Sequence, residues 1–336
     1  MNGPIERIVF FGTPEFAVPT LDALAAAGRA PLLVVSQPAR PSGRGKRTEQ
    51  PPVARWAEQH RVSLEQPARV RDPDFLARLR DLAPDLAVVV AFGQIFRPEL
   101  LQLPRLGCVN LHGSLLPRHR GAAPVQAALL AGDAITGVTT MLMDEGLDTG
   151  PILLQREAPI EPNENAGDLQ ARLAVIGAEL VVETVERLAA GTLVPLAQRG
   201  ELATLAPRLR KEDGRIAWSS PAPRLAALVR AMTPWPGAFT ELRGEPLRVV
   251  EARPLRAAEA PAGAAAPGSV LGRSGEGFAV RSGDGGALLL LRVQRPGRRA
   301  VSALDFWNGE RIAPGDVCDG GRVARDTDGA RVGGRG

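Results

Sequence analysis

Through the first 190 residues, short unbroken apolar runs alternate with stretches whose apolar positions recur at helical spacing. Residues 7–11 form the first run, which ends in Gly12-Thr13-Pro14. Thr13 is placed to cap a helix and Pro14 to open it. That helix runs towards Ala27 with Gly28 as its stop, and Pro19 inside it predicts a bend. Runs at 31–36, 86–91 and 107–112 read as further buried strands, with helical patterns at 51–60, 74–82 and 123–130. Strands at 136–143 and 152–156 and a long helix at 167–190 complete this part. Strands alternating with helices predict an α/β domain on a mainly parallel, doubly wound sheet.

After Gly191 the pattern changes. Residues 196–209 hold no period and suit a linker, and 220–232 read as a helix stopped at Thr233-Pro234-Trp235-Pro236. Short alternating runs at 238–242, 247–252, 277–281 and 287–294, punctuated by Gly and Pro, predict a small β-barrel. A short capped helix fits 302–308. The expected organisation is one domain over 1–195, a linker over 196–208, a barrel over 209–317 and a disordered tail over 318–336.

Bulk properties narrow the class. A chain of 336 residues exceeds what one core usually supports, and its 44% hydrophobic and 23% charged content is ordinary for globular proteins. The apolar run at 86–92 is too short to span a bilayer, and the first residues lack a secretory apolar stretch. Cys108 and Cys318 lie far apart, outside metal-ligand spacing. Neither a disulfide scaffold nor a metal is expected, and a cytoplasmic location fits. Charge divides unevenly: from Arg208 onward 21 Lys and Arg face 14 Asp and Glu, a net +7 within an overall +4. A polyanionic partner suits that basic part.

Two nucleotide-binding motifs fail. The first strand ends in a single glycine, not Gly-x-Gly-x-x-Gly, and Gly45-Lys46 is flanked by Arg40 and Arg47 where a P-loop needs Gly and Ser or Thr. The segment Asn110-Leu111-His112-Gly113 is more informative. Asn110 and His112 share one side of a strand, at the end where open α/β sheets place their ligand crevice. Asn is a poor strand former, which asks for a reason. Downstream, the glycine-bounded loop at 144–150 offers Asp144, Glu145 and Asp148. A carboxylate from it beside His112 completes an Asn, His, Asp set suited to transfer at a carbonyl. No Cys or Gly-x-Ser-x-Gly nucleophile accompanies the set, so direct attack by an acceptor amine fits better than a covalent enzyme intermediate.

Asn110-Leu111-His112-Gly113-Ser114-Leu115-Leu116-Pro117, followed by Arg120-Gly121-Ala122-Ala123-Pro124, resembles the signature of the folate-dependent formyltransferases, and 143–150 resembles their second motif. The resemblance places the catalytic aspartate at Asp148, not Asp144. Three further regions narrow it to the members that act on methionyl-tRNA: Phe11-Gly12-Thr13-Pro14-Glu15-Phe16, the loop 37–46, and the pair 211–216 with 233–236. It implies a Rossmann-like catalytic domain and an OB-like, tRNA-binding barrel. It also implies formyl transfer from 10-formyltetrahydrofolate, a cosubstrate, to the α-amine of initiator methionyl-tRNA for translation initiation. Asn110 and protonated His112 face the oxyanion, and Asp148 keeps the imidazole charged. Ser114, Leu115, Leu116 and Pro117 contact the folate, whose pterin sits near 86–92. Arg40, Arg44, Lys46 and Arg47, on a loop with little structure of its own, reach the acceptor end of the tRNA.

Some residues depart from the family pattern: Ala39 for Asp, Phe92 for Tyr, Thr233 for Asn and Ala217 for Asp. None touches Asn110, His112 or Asp148. Two other readings explain less. A formyltransferase for a sugar nucleotide or glycinamide ribonucleotide needs neither the basic loop nor the barrel. A non-catalytic RNA-binding module leaves Asn110, His112 and Asp148 without a purpose.

Overall fold

The computed structural model describes residues 4–42, 47–256, 258–261, 263 and 265–319. Contacts divide the chain into two compact units, Met1–Leu209 and Arg210–Gly336. The strands of the first are β1 (Ile8–Gly12), β2 (Leu33–Val35), β3 (Arg40–Ser42), β4 (Arg47–Glu49), β5 (Ser63–Glu65), β6 (Leu86–Val90), β7 (Cys108–His112), β8 (Arg120–Gly121), β9 (Ile135–Leu142), β10 (Ile152–Pro159) and β11 (Leu205–Ala206). Its helices are α1 (Val18–Ala26), α2 (Pro52–His60), α3 (Pro73–Asp81), α4 (Pro98–Leu101), α5 (Pro124–Ala131) and α6 (Ala166–Ala189).

Seven strands form one sheet in the order β10-β9-β7-β6-β1-β2-β5. From β5 to β7 all pairs are parallel, while β9 runs antiparallel to β7 and β10 to β9. The parallel part is buried on both faces, which is why β1 and β6 read as unbroken apolar runs. Val9, Phe11, Val35, Val89 and Cys108 pack with Phe75, Leu79, Phe92, Phe96 and Leu100 on one face. Against the other face lies α6, close enough at Gly177 that a Cβ there would stand 2.6 Å from Leu111 Cδ2. Leu111 therefore packs on the helix, and its neighbours Asn110 and His112 point the opposite way.

Several expectations need correction. The helix after β1 begins at Val18, following a 3₁₀ turn at Glu15–Ala17. Pro19 thus sits in the first turn, where its missing N–H costs nothing, and it does not bend the helix interior. Thr13 caps neither element; its hydroxyl donates to the Phe92 carbonyl at 3.2 Å. The basic segment expected to lack structure carries an antiparallel pair, Arg40 opposite Glu49 and Ser42 opposite Arg47. Within 196–208, Leu196 bridges to Ile152 and β11 pairs in parallel with β8.

The second unit holds α7 (Ala222–Met232), β12 (Ala238–Leu242), β13 (Glu245–Leu255), β14 (Val270–Ser274), β15 (Gly277–Arg281), β16 (Ala287–Gln294), β17 (Val301–Ser302), α8 (Ala303–Glu310) and β18 (Cys318–Asp319). The order β14-β15-β16-β13-β12-β18 is antiparallel throughout, with β17 beside β16. Hydrogen bonds from Cys318 N to Gly268 O at 2.7 Å and from Val270 N to Asp316 O at 2.7 Å join the two edges, closing the sheet as a barrel does. Cys318 and Asp319, expected in the tail, belong to this closure because they pair with Leu242 and Glu241. The remaining tail, 320–336, lies outside the described residues. Among the described residues, no helix is long and apolar enough to cross a membrane.

Candidate active site

At the C-terminal end of the parallel strands, the first unit holds a half-open cavity of about 610 Å³. Val89, Phe92, Ile95, Phe96 and Met143 give it an apolar wall, and Asn110, His112 and Asp148 give it a polar one. This volume falls in the range of pockets that take compact organic ligands. The apolar wall is held in place by polar anchors: the Phe92 carbonyl accepts from Thr13 Oγ1 at 3.2 Å and from Gln37 Nε2 at 3.0 Å. The Phe92 ring itself is buried in a T-shaped cluster with Phe11, centroids 5.4 Å apart.

Strand β7 delivers Asn110 and His112 side by side. The Asn110 carboxamide lines the cavity and bonds to none of the described residues, so its N–H groups are available to a ligand. His112 is almost fully buried. Its Nε2 lies 2.9 Å from the His119 carbonyl, and its Nδ1 lies 3.7 Å from Asp148 Oδ2. Burial drives the imidazole below its ordinary value, outweighing the opposing pull of Asp148. That direction favours a neutral ring at rest. A carbonyl accepts but never donates, so the proton of the neutral ring sits on Nε2. That leaves Nδ1 with a free lone pair beside Asp148.

The loop after β9 explains which carboxylate matters. Asp144 is used within its own turn, accepting from Gly146 N at 3.0 Å and Thr149 Oγ1 at 2.7 Å. Asp148 sits in a left-handed conformation, φ 53°, that turns its carboxylate towards His112. There it accepts from Gly121 N at 2.8 Å. Such a backbone state persists only where neighbours hold it. Gly121 in turn has φ 123°, and a Cβ there would stand 2.5 Å from Ala206 O.

Ser114, Leu115, Leu116 and Pro117 are not among the cavity's lining residues. Ser114 is fully buried; its hydroxyl donates to Arg118 O at 2.6 Å, and its carbonyl accepts from Thr139 Oγ1 at 2.7 Å. These bonds hold the turn that follows β7, two residues beyond His112. Of the four loop cations, Arg40 and Arg47 stand on β3 and β4, while Arg44 and Lys46 lie outside the described residues.

Two contributors went unnoticed in the sequence. His119 fixes the His112 tautomer through its carbonyl, and its own ring is held by Asp133 Oδ2 at 2.8 Å. Its place seven residues after His112 was the available signal. Gln198 binds the Asp148 loop from 50 residues away, and nothing local marks it. Cys108, on the same strand as His112, has a thiol that burial pushes up to about 12, so it offers no thiolate. No group of three or more His, Cys, Asp or Glu among the described residues is arranged to hold a metal.

A parallel sheet with an Asn, His, Asp set at its C-terminal edge defines a group-transfer enzyme of the formyl transferase family, and the chain belongs to that family. Residues 6–185 match formyl transferase, and 208–311 match formyl transferase, C-terminal domain. Similar curated relatives carry the name methionyl-tRNA formyltransferase. That of Anaeromyxobacter sp. (strain K) is 53% identical over 305 residues, covering 91% of this chain and 97% of the relative. That of Geotalea uraniireducens is 48% identical over 311 residues, covering 93% and 97%. Among solved structures, the N-formyltransferase from Helicobacter canadensis with folinic acid and dTDP-3-aminofucose matches with a TM-score of 0.63 at 17% identity, covering 85% of this chain and 99% of that one. HypX from Aquifex aeolicus with tetrahydrofolic acid matches at 0.59 and 17%, covering 90% and 46%. At such identity these two likenesses speak for the fold alone.

Proposed function

We propose that this chain transfers the formyl group of 10-formyltetrahydrofolate to the α-amine of initiator methionyl-tRNA, yielding N-formylmethionyl-tRNA in the cytoplasm. The observation that carries this reading is the convergence of Asn110, His112 and Asp148 on one cavity in a chain 53% identical to a named relative over nearly that relative's whole length. The folate fits the cavity's chemistry: a flat, partly apolar ring system suits the wall of Val89, Phe92 and Phe96, and the volume is adequate. When bound, it supplies an electrophilic formyl carbon.

The protein's part follows from the geometry. The free carboxamide of Asn110 donates to the oxygen that gains charge as the amine bonds to the formyl carbon. His112 Nδ1 takes the proton released by that amine, and the resulting imidazolium is stabilised by Asp148. The same imidazolium returns the proton to the folate nitrogen as the old carbon–nitrogen bond breaks, so no charge is left on the enzyme. The turn Ser114–Pro117 contacts the folate, and Arg40, Arg44, Lys46 and Arg47 serve the tRNA phosphates.

Acid-urea gel electrophoresis tests the reading. Initiator and elongator methionyl-tRNA are incubated separately with the purified chain and 10-formyltetrahydrofolate. A mobility shift of the initiator alone supports it; no shift on either tRNA, with folate consumed when a sugar-nucleotide amine is added, overturns it.

A further inference from the structure

We propose that Gln198 is a positioning residue for Asp148, acting as an amide clamp that holds the catalytic loop in its left-handed conformation. The inference rests on the proposed roles of His112 and Asp148. Gln198 Nε2 donates to Asp148 O at 2.9 Å and to Gly150 O at 2.7 Å, spanning the loop on either side of Thr149. Its Oε1 accepts from Arg120 Nε at 3.1 Å and Arg120 Nη2 at 2.7 Å. The next residue, Gly121, donates its N–H to the Asp148 carboxylate. The contacts close a ring: Arg120 to Gln198, Gln198 to the Asp148 main chain, the Asp148 side chain to Gly121, and Gly121 back to Arg120 through one peptide bond.

Only a neutral amide fits the centre of this ring. The guanidinium offers donors alone and the two carbonyls offer acceptors alone, so the partners also fix which end of the amide is oxygen. Glu at this position would face two carbonyls with a carboxylate; an apolar residue would leave three polar groups without their partner. The chain around Gln198 is anchored as well. Ile152 and Leu196 exchange hydrogen bonds at 2.8 Å, and Arg120 N donates to Thr204 O at 2.8 Å. Gln198 thus lies between two fixed points, which suits it to over-determine a strained neighbour.

The readout is His112, because it reports where Asp148 stands. The ionisable groups facing it are Asp144, Glu145 and Asp148 from the loop after β9, and His119, paired with Asp133, from the loop after β7. The chain has three histidines, so the imidazole signals of ¹³C-histidine-labelled protein can be assigned and titrated by NMR. In Q198M, which keeps length without the amide, the His112 midpoint should fall by about 0.5 pH unit or more as the carboxylate drifts from Nδ1. kcat should fall about tenfold or more, with KM for methionyl-tRNA nearly unchanged. R199A, which removes an exposed neighbour paired with Glu201, should match the wild type in both measurements. A folded Q198M with an unmoved His112 midpoint overturns the clamp, whatever its melting temperature. Should Q198M not fold, Q198A, which leaves room for water at this half-buried position and adds no charge, is titrated instead under the same criterion. The titration needs no substrate, so it decides the clamp even if the wild type were to formylate no tRNA, a result that would fail the proposed reaction instead.

Discussion

Replacing Asp148 by Asn removes one charge from the site while retaining an oxygen that accepts from Gly121 N. The carboxylate lies 3.7 Å from His112 Nδ1, and two unit charges at that distance attract by about 4 kcal/mol at an effective dielectric constant near 20. The Asp148 side chain is 18% exposed, so water screens part of this, and about 2 kcal/mol is a fair lower figure. This energy is realised when His112 is protonated, hence in the transition state more than in the resting enzyme. Asp148→Asn should therefore lower kcat between about 30- and 1,000-fold. The pH profile carries a second, signed test. His112 acts as a base when neutral and already titrates below its ordinary value, so activity is present above that pKa and is lost as pH falls through it. Without Asp148 only the hydrogen bond to the His119 carbonyl offsets burial, so the acid limb of kcat should move to still lower pH while the plateau drops. Steady-state formylation between about pH 4.5 and 8, spanning the ordinary histidine value, reads both effects. A kcat within threefold of the wild type, or an acid limb moved upward, would refute the reasoning.

Gly121→Ala should melt lower by the equivalent of about 2 kcal/mol or more, because φ 123° and the Ala206 carbonyl both oppose a Cβ; thermal unfolding checks it, and an unchanged melting temperature counts against the packing described. Arg44→Ala should raise KM for methionyl-tRNA and reduce the slope of log(kcat/KM) against log salt by about one, as loss of a single phosphate contact does. An unaltered slope removes Arg44 from tRNA binding. Stability should also fall as pH drops below about 6.5, since the unfolded chain then binds a proton that buried His112 excludes; acid-insensitive unfolding between pH 7 and 5 would contradict the neutral ring.

The parallel core was legible because β1 and β6 are buried on both faces and so appear as continuous apolar runs. Several short strands escaped; of these, β5 is Ser63-Leu64-Glu65, an edge with one apolar residue, and β14 contains Gly272. Asn110 and His112 were legible from strand alternation alone. The choice of Asp148 among three acids came only with the family resemblance; the use of Asp144 inside its own turn, a matter of three-dimensional hydrogen bonding, gives it a physical reason. Proximity of a carboxylate to His112 could be guessed from motifs, but the opposing burial depends on how the strands and loops close over the ring. Thr233 shows the converse, a departure from the family pattern that costs nothing visible, since its hydroxyl donates to Val229 O at 2.8 Å and caps the end of α7.

The claim that Asn110, His112 and Asp148 carry formyl transfer is tested most directly by single-turnover formylation with His112→Ala, both substrates saturating. The account predicts that the rate falls at least about 100-fold, the lower end of a general base's usual contribution, while 10-formyltetrahydrofolate binds as in the wild type. A His112→Ala rate within a few fold of the wild type would contradict it.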